Sequence, residues 1–173
     1  TGDMDPAVVP FLIENYERIP VEDRPEGYKE LTAANVNNFM NKACGLKGVS
    51  EVSSDMRSVI GEIETNENGH GADAKLAYDI LIYGIKKYIG AYAAAMGGVD
   101  IILFTGGAGE NQWEVREGAT SGLEYMGVKM DATKNRACRA TEAILSSDDS
   151  AVTVCCIPTD EELMIALDTQ ALC

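Results

Sequence analysis

Apolar and polar positions divide the chain into helical and strand-like stretches. Val8, Val9, Leu12 and Ile13 recur at helical spacing behind Asp5 and Pro6, a cap and first-turn pair, so a helix is predicted over 5–16. Residues 18–30, RIPVEDRPEGYKE, carry two prolines and a glycine and read as a loop. Helical spacing returns at Val36, Phe39, Met40 and Ala43 and stops at Gly45. A short polar segment then leads to SSDMRSVIGEI, where Asp55 is placed to cap another helix.

The most regular pattern covers 72–96. Ala77, Leu81, Ile85, Ile89 and Ala93 recur every four residues, and Gly97 and Gly98 end the run. Ile101–Phe104 is predicted as a short buried strand, FTGGAGEN (104–111) as a loop, and 112–126 as a helix with Val115, Ala119, Leu123 and Met126 facing inward. A strand near 127–130, a polar stretch rich in Ser and Asp, a strand over Val152–Ile157 and a helix over Thr159–Ala171 complete the pattern. This order is that of an α/β fold. Ligands in such sheets gather outside the carboxyl ends of strands, which makes FTGGAGEN and PTDEE the two candidate segments.

Gly106, Gly107 and Gly109 leave a backbone that a ligand can approach closely. The spacing is neither GxGxxG nor a P-loop, because no Lys follows, and it fits a structural strand-to-helix turn equally well. In PTDEE, Thr159 with Glu162 three residues on forms a capping box, which accounts for the acids without further function. The sharper alternative makes one carboxylate a ligand, direct or through water, of Mg²⁺ carrying substrate phosphates. Asp55-Met56-Arg57 has the same two readings: a cap acid beside an ordinary Arg, or an Arg plane that stacks on adenine. Asp3 and Asp5 read as helix caps.

Charge narrows the partners. Fourteen basic residues against 28 acidic ones give −14, which speaks against nucleic acid or an anionic membrane as partner. An anionic nucleotide would need local help from Arg, helix N-termini or a metal ion. Mean hydropathy of −0.09 and 46% hydrophobic residues fit an ordinary globular domain. No apolar run reaches spanning length, and TGDMDPAVVP lacks the features of a signal peptide. A chain beginning at Thr1 is expected to be processed or cut from a longer one. Cys44, Cys138, Cys155, Cys156 and Cys173 show no CxxC spacing and point to a reducing, cytoplasmic setting. His70 is the single histidine, which excludes His-based triads and multi-His metal sites.

Several segments together carry more than each alone. TGDMDP (1–6), SSDMRSV (53–59), KKYIGAYAAAMGGVDIILFTGGAGEN (86–111), EVREGATSGLEYMGVKMD (114–131) and IPTDEELMIALDT (157–169) occur in that order over nearly the whole chain. The chain thereby resembles the C-terminal part of the acetate kinase family, in the acetate and sugar kinase/Hsc70/actin superfamily. The resemblance implies a partial ribonuclease H-like (actin-like ATPase) α/β domain, a central sheet with flanking helices. Residues 1–173 would be its C-terminal nucleotide-binding domain, with a surface insertion at 18–30 and the N-terminal domain absent.

FTGGAGEN would be the adenosine loop, with Gly107, Ala108, Gly109, Glu110 and Asn111 contacting the nucleotide. Asp55, Met56 and Arg57 would form another part of that pocket, and Glu161 would be the acid associated with Mg²⁺. The implied reaction is reversible, ATP-dependent phosphorylation of acetate to acetyl phosphate and ADP by a cytoplasmic homodimer. No catalytic residue is expected in this chain, because the family's catalytic Arg would precede Thr1 and the acetate site, Asn and Asp would lie further upstream. The isolated chain is therefore expected to be inactive. Propionate or butyrate kinases, or an inert dimerisation domain, are the alternatives. Ala108 and Leu167 depart from the family's usual larger aliphatic residue and Arg, respectively.

Overall fold

In the computed structural model, which describes residues 4–172, the chain forms two units, Thr1–Leu81 and Ile82–Cys173. Asp3 and Cys173 lie outside the described residues. In the first unit Asp5 accepts a hydrogen bond from the Ala7 amide at 2.8 Å, just ahead of helix α1, Val8–Asn15. Helices α2 (Val36–Lys42), α3 (Leu46–Ser50) and α4 (Met56–Thr65) follow. The short α3 was not legible in the sequence. It starts directly after Gly45, which takes a φ of 66° to turn the chain out of α2.

The first unit's core is aromatic. Tyr16 and Tyr28 meet the Phe39 ring edge-on, at centroid distances of 5.7 and 5.2 Å, and the Tyr16 hydroxyl donates to the Tyr28 carbonyl at 2.8 Å. The 18–30 segment is thus more than a surface loop. It contributes buried Tyr28, forms a 3₁₀ turn at Val21–Asp23, and is tied back by Arg24 Nε to the Ile19 carbonyl.

Helix α5 (Gly71–Met96) begins in the first unit and ends in the second, where Gly97 (φ 79°) stops it. The second unit's sheet has strands β1 (Ile101–Phe104), β2 (Ala143–Ile144) and β3 (Thr153–Cys156) in the order β1-β3-β2. β1 and β3 are parallel, with Ile101 opposite Thr153 and Phe104 opposite Cys156, while β2 runs antiparallel to β3. Alternation sends Ile102, Phe104, Val154 and Cys156 into a core shared with Ala119, Leu123, Val128 and Leu145.

The elements between the strands are more broken than periodicity predicts. FTGGAGEN is not a loop throughout: Gly106–Asn111 forms helix α6. The expected helix over 112–126 is α7 (Trp113–Thr120) followed by a 3₁₀ turn at Glu124–Met126, with Gly122 at φ 79° between them. The strand expected at 127–130 reduces to two isolated bridges, Val128 to Val152 and Met130 to Ser146. Helix α8 (Ala132–Ala137) was unexpected, although Asp131 caps it by accepting from the Thr133 and Lys134 amides. The last helix, α9 (Glu161–Leu172), is exposed along its length. Among the described residues no helix is long and apolar enough to cross a membrane.

Candidate functional site

Parallel pairing of β1 with β3 places the two candidate segments at one sheet edge, as the sequence pattern implied. Phe104 and Cys156 are register partners, and the Ile157 amide continues the ladder to the Phe104 carbonyl at 3.0 Å. The glycine-rich segment leaves one strand end and PTDEE leaves its neighbour's.

The three glycines there answer to different constraints. Gly106 takes a φ of 71°, the left-handed turn that carries extended Thr105 into α6. A Cβ on Gly109 would stand 3.4 Å from the Phe104 carbonyl carbon, in ordinary van der Waals contact. Gly107 has neither reason: a Cβ there meets nothing within 4 Å, and its φ is not in the left-handed region. Glycine inside a helix is unfavourable relative to alanine. A structural turn therefore explains Gly106, while Gly107 stands as an open, bare stretch of backbone.

Glu110 is buried, and its side chain points back into the protein. Its Oε1 accepts from the Gly106 amide at 2.7 Å, the Thr159 amide at 2.8 Å and the Thr159 hydroxyl at 3.0 Å. The Thr159 amide foremost, with the Thr159 and Thr105 hydroxyls and the Gly106 amide, holds this carboxyl below the usual range against the opposing effect of burial. Asn111 donates from its side chain to the Gly107 carbonyl at 3.0 Å, while Gly107 and Ala108 are exposed.

The Thr159–Glu162 capping box is not what the structure forms. Thr159 spends its hydroxyl on Glu110, and Asp160 caps instead, its Oδ1 accepting from the Leu163 amide at 3.0 Å. Glu161 stands exposed as the first residue of α9. Among the described residues no group of three His, Cys, Asp or Glu could hold a metal ion. A lone exposed carboxylate suits only an ion that keeps its waters and takes its other ligands from phosphates, the habit of Mg²⁺.

Asp55, Met56 and Arg57 belong to the first unit. Asp55 caps α4 by accepting from the Arg57 amide at 2.9 Å, and the Arg57 guanidinium folds back onto the same carboxylate, Nη2 to Oδ2 at 2.5 Å. Hydrogen bonding from Arg57 lowers the Asp55 pKa to about 2. The Met56 side chain is buried in the protein.

Sequence reasoning missed Arg116. It is fully buried, yet its Nε donates to Asn135 Oδ1, Nη1 to the Gly109 and Glu110 carbonyls, and Nη2 to the Asn135 and Cys138 carbonyls, all between 2.7 and 3.0 Å. All five guanidinium donors are thereby used. The signal was present: Val115, Ala119 and Thr120 form the buried stripe of α7, and an Arg lies within it.

The profile described as the acetokinase family matches residues 1–167. An acetate kinase of Phocaeicola vulgatus is 53% identical over 172 residues, covering 99% of this chain and 39% of that protein. One of Bacteroides fragilis is 46% identical with the same coverage. Among solved structures, Porphyromonas gingivalis acetate kinase superposes with a TM-score of 0.80 at 44% identity, covering 99% of this chain and 39% of that one. A Francisella tularensis propionate kinase gives 0.74 at 28% identity, covering 96% of this chain and 38% of that one. The chain thus spans about two fifths of the length of the relatives it matches.

Proposed function

The chain belongs to the acetokinase family, whose solved members have the actin-like ATPase fold, and we propose that it supplies the nucleotide side of an ATP-dependent acetate kinase. Gly107 carries this reading, because the fold alone gives no reason for a glycine there. In the proposal, the backbone of Gly107, Ala108 and Gly109 lies against the adenosine, with Asn111 beside it and Glu110 holding the segment from behind. Asp55, Met56 and Arg57, in the first unit, are proposed separately as nucleotide contacts, Arg57 through its guanidinium plane and Met56 through its backbone.

Phosphoryl transfer depends mainly on positioning and on neutralising charge. Glu161 would hold Mg²⁺, directly or through water, and the ion would offset charge on the phosphates. The residues of this chain bind and orient the nucleotide, and the acceptor carboxylate is bound elsewhere. Acetate is the proposed acceptor, in a cytoplasmic protein. Propionate and butyrate are the neighbouring choices, since a propionate kinase shares this region's fold. The reading is tested by titrating ADP with Mg²⁺ into the chain while following backbone amide signals. Changes centred on 106–111 support it, and a response confined to other residues overturns it.

A second reading, an interaction domain that pairs as a homodimer without turnover, is favoured by the open sheet face. Leu103, Cys155 and Ile144 are in register across the three strands, and Leu103 and Ile144 are exposed beside Ile101. Sedimentation as a monomer at tens of micromolar, on the order expected to populate a modest interface, would remove it.

A further inference from the structure

One oxygen links the two candidate segments. Glu110 Oε1 takes the Gly106 amide at the start of α6 and both the amide and hydroxyl of Thr159, two residues before Glu161. Three donors on one oxygen suit a carboxylate, since bonds to an ionised acceptor are about twice as strong as neutral ones. Asp160, between the latched Thr159 and Glu161, is itself fixed by the α9 cap. Arg116 holds the other end of α6 through the Gly109 and Glu110 carbonyls. The short path from Gly106 through Glu110 to Thr159 is therefore fixed at each step.

We infer that Glu110 is a positioning residue that sets the distance between the bare backbone at Gly107 and the carboxylate of Glu161. This rests on the nucleotide reading above. A nucleotide whose base lies on α6 extends its phosphates a fixed length, and an acid meant to meet their metal ion must stand at that length. Glu110 touches neither partner. It acts through the Gly106 and Thr159 amides and the Thr159 hydroxyl.

The test uses a full-length acetate kinase in which this chain replaces the matching segment. Thr159 is exposed, so Thr159→Val removes one donor at little cost to folding, and Thr159→Ser restores the hydroxyl. Glu110→Gln keeps the shape and removes the charge. Thr159→Val and Glu110→Gln are each expected to raise KM for MgATP and the Mg²⁺ requirement by about fivefold, the weight of one hydrogen bond. KM for the carboxylate substrate should stay unchanged. The double variant should do less than the sum of the two, because both act on the same contact, and Thr159→Ser should behave as the parent.

Gly107→Val serves as the control for the reading beneath. If it raises KM for MgATP while Glu110→Gln and Thr159→Val leave it untouched or act additively, the positioning role is overturned and the nucleotide reading stands. If Gly107→Val also leaves that KM untouched, the nucleotide reading falls and the positioning role with it. A uniform fall in activity with melting temperature, sparing no KM, reduces Glu110 to a structural residue and equally overturns the proposal.

Discussion

Arg116 Nε meets Asn135 Oδ1 at 2.7 Å, and its Nη2 takes the same residue's carbonyl at 2.8 Å, so one buried amide residue receives the guanidinium on two sides. Asn135 in turn donates to the Trp113 carbonyl at 3.0 Å, which closes α8 onto the start of α7. A charge removed from water is costly unless all its hydrogen bonds are replaced, and here carbonyl dipoles and one side-chain amide replace them. The arrangement anchors the carbonyl end of α6 from below.

A lysine at this position keeps the charge but has three donors for five acceptors. Arg116→Lys is therefore expected to cost about 2–4 kcal/mol, from stranded carbonyls and a poorly paired buried ammonium. Urea unfolding measures this directly. A loss below about 0.5 kcal/mol, the level of an ordinary surface substitution, would show that the network does not hold α6.

The glycines of α6 give a second prediction, because they differ in what the fold asks of them. Gly106→Ala forces a left-handed residue and should cost about 1–2 kcal/mol. Gly107→Ala meets open space and should stabilise the chain by up to about 1 kcal/mol, as a helical glycine replaced by alanine does. The same change should weaken ADP binding if the nucleotide lies against that backbone. Thermal melts with and without ADP separate the two effects. Equal melting shifts in both conditions would mean that nothing approaches Gly107.

These cases show what the sequence could and could not reveal. β1 and β3 were legible because short apolar runs ended at turn residues, and their shared edge followed from α/β connectivity. The long α5 was legible from its four-residue repeat. α6 was not, since helix-breaking glycines form it and tertiary bonds from Arg116 and Glu110 override their propensity. Asp160 lost its capping role to Thr159 in the sequence pattern because nothing local shows that a buried carboxylate 49 residues away claims the Thr159 hydroxyl. Glu110, read from the family resemblance as a nucleotide contact, turns out to have its carboxylate occupied within the protein. Family resemblance named the residues of the segment but could not tell which of their atoms face outward.

A third prediction concerns acid. Asp55 has a folded pKa of about 2, lowered by hydrogen bonding from Arg57, against about 3.9 for an unfolded aspartate. A depressed carboxylate contributes stability that is fully present above the unfolded value and is lost as pH falls through the folded one. The contribution should thus fade between about pH 4 and pH 2, and Asp55→Asn should flatten that part of the stability profile while leaving the neutral range nearly level. Carboxyl NMR checks the cause. A midpoint near 4 would mean that the Arg57 pairing does not persist in solution, as exposed pairs often fail to do.

The entry to α9 separates capping from metal binding. Asp160 bonds the Leu163 amide, whereas Glu161 contributes only a charge in the first turn. Asp160→Ala should therefore cost about 0.5–2 kcal/mol of helix stability. Because α9 is exposed along its length, the loss should register as faster amide exchange within 161–172 more than as a global melting shift. Glu161→Ala should cost a few tenths to about 1 kcal/mol, the usual weight of an acid at a helix start. In a full-length acetate kinase carrying this segment, however, it should sharply lower turnover and raise the Mg²⁺ concentration needed, while Glu162→Ala changes neither. The metal assignment fails if Glu161→Ala leaves the Mg²⁺ dependence intact, or if both glutamates behave alike. The acids of PTDEE would then serve the helix alone, and the ion would have to be held by residues outside this chain.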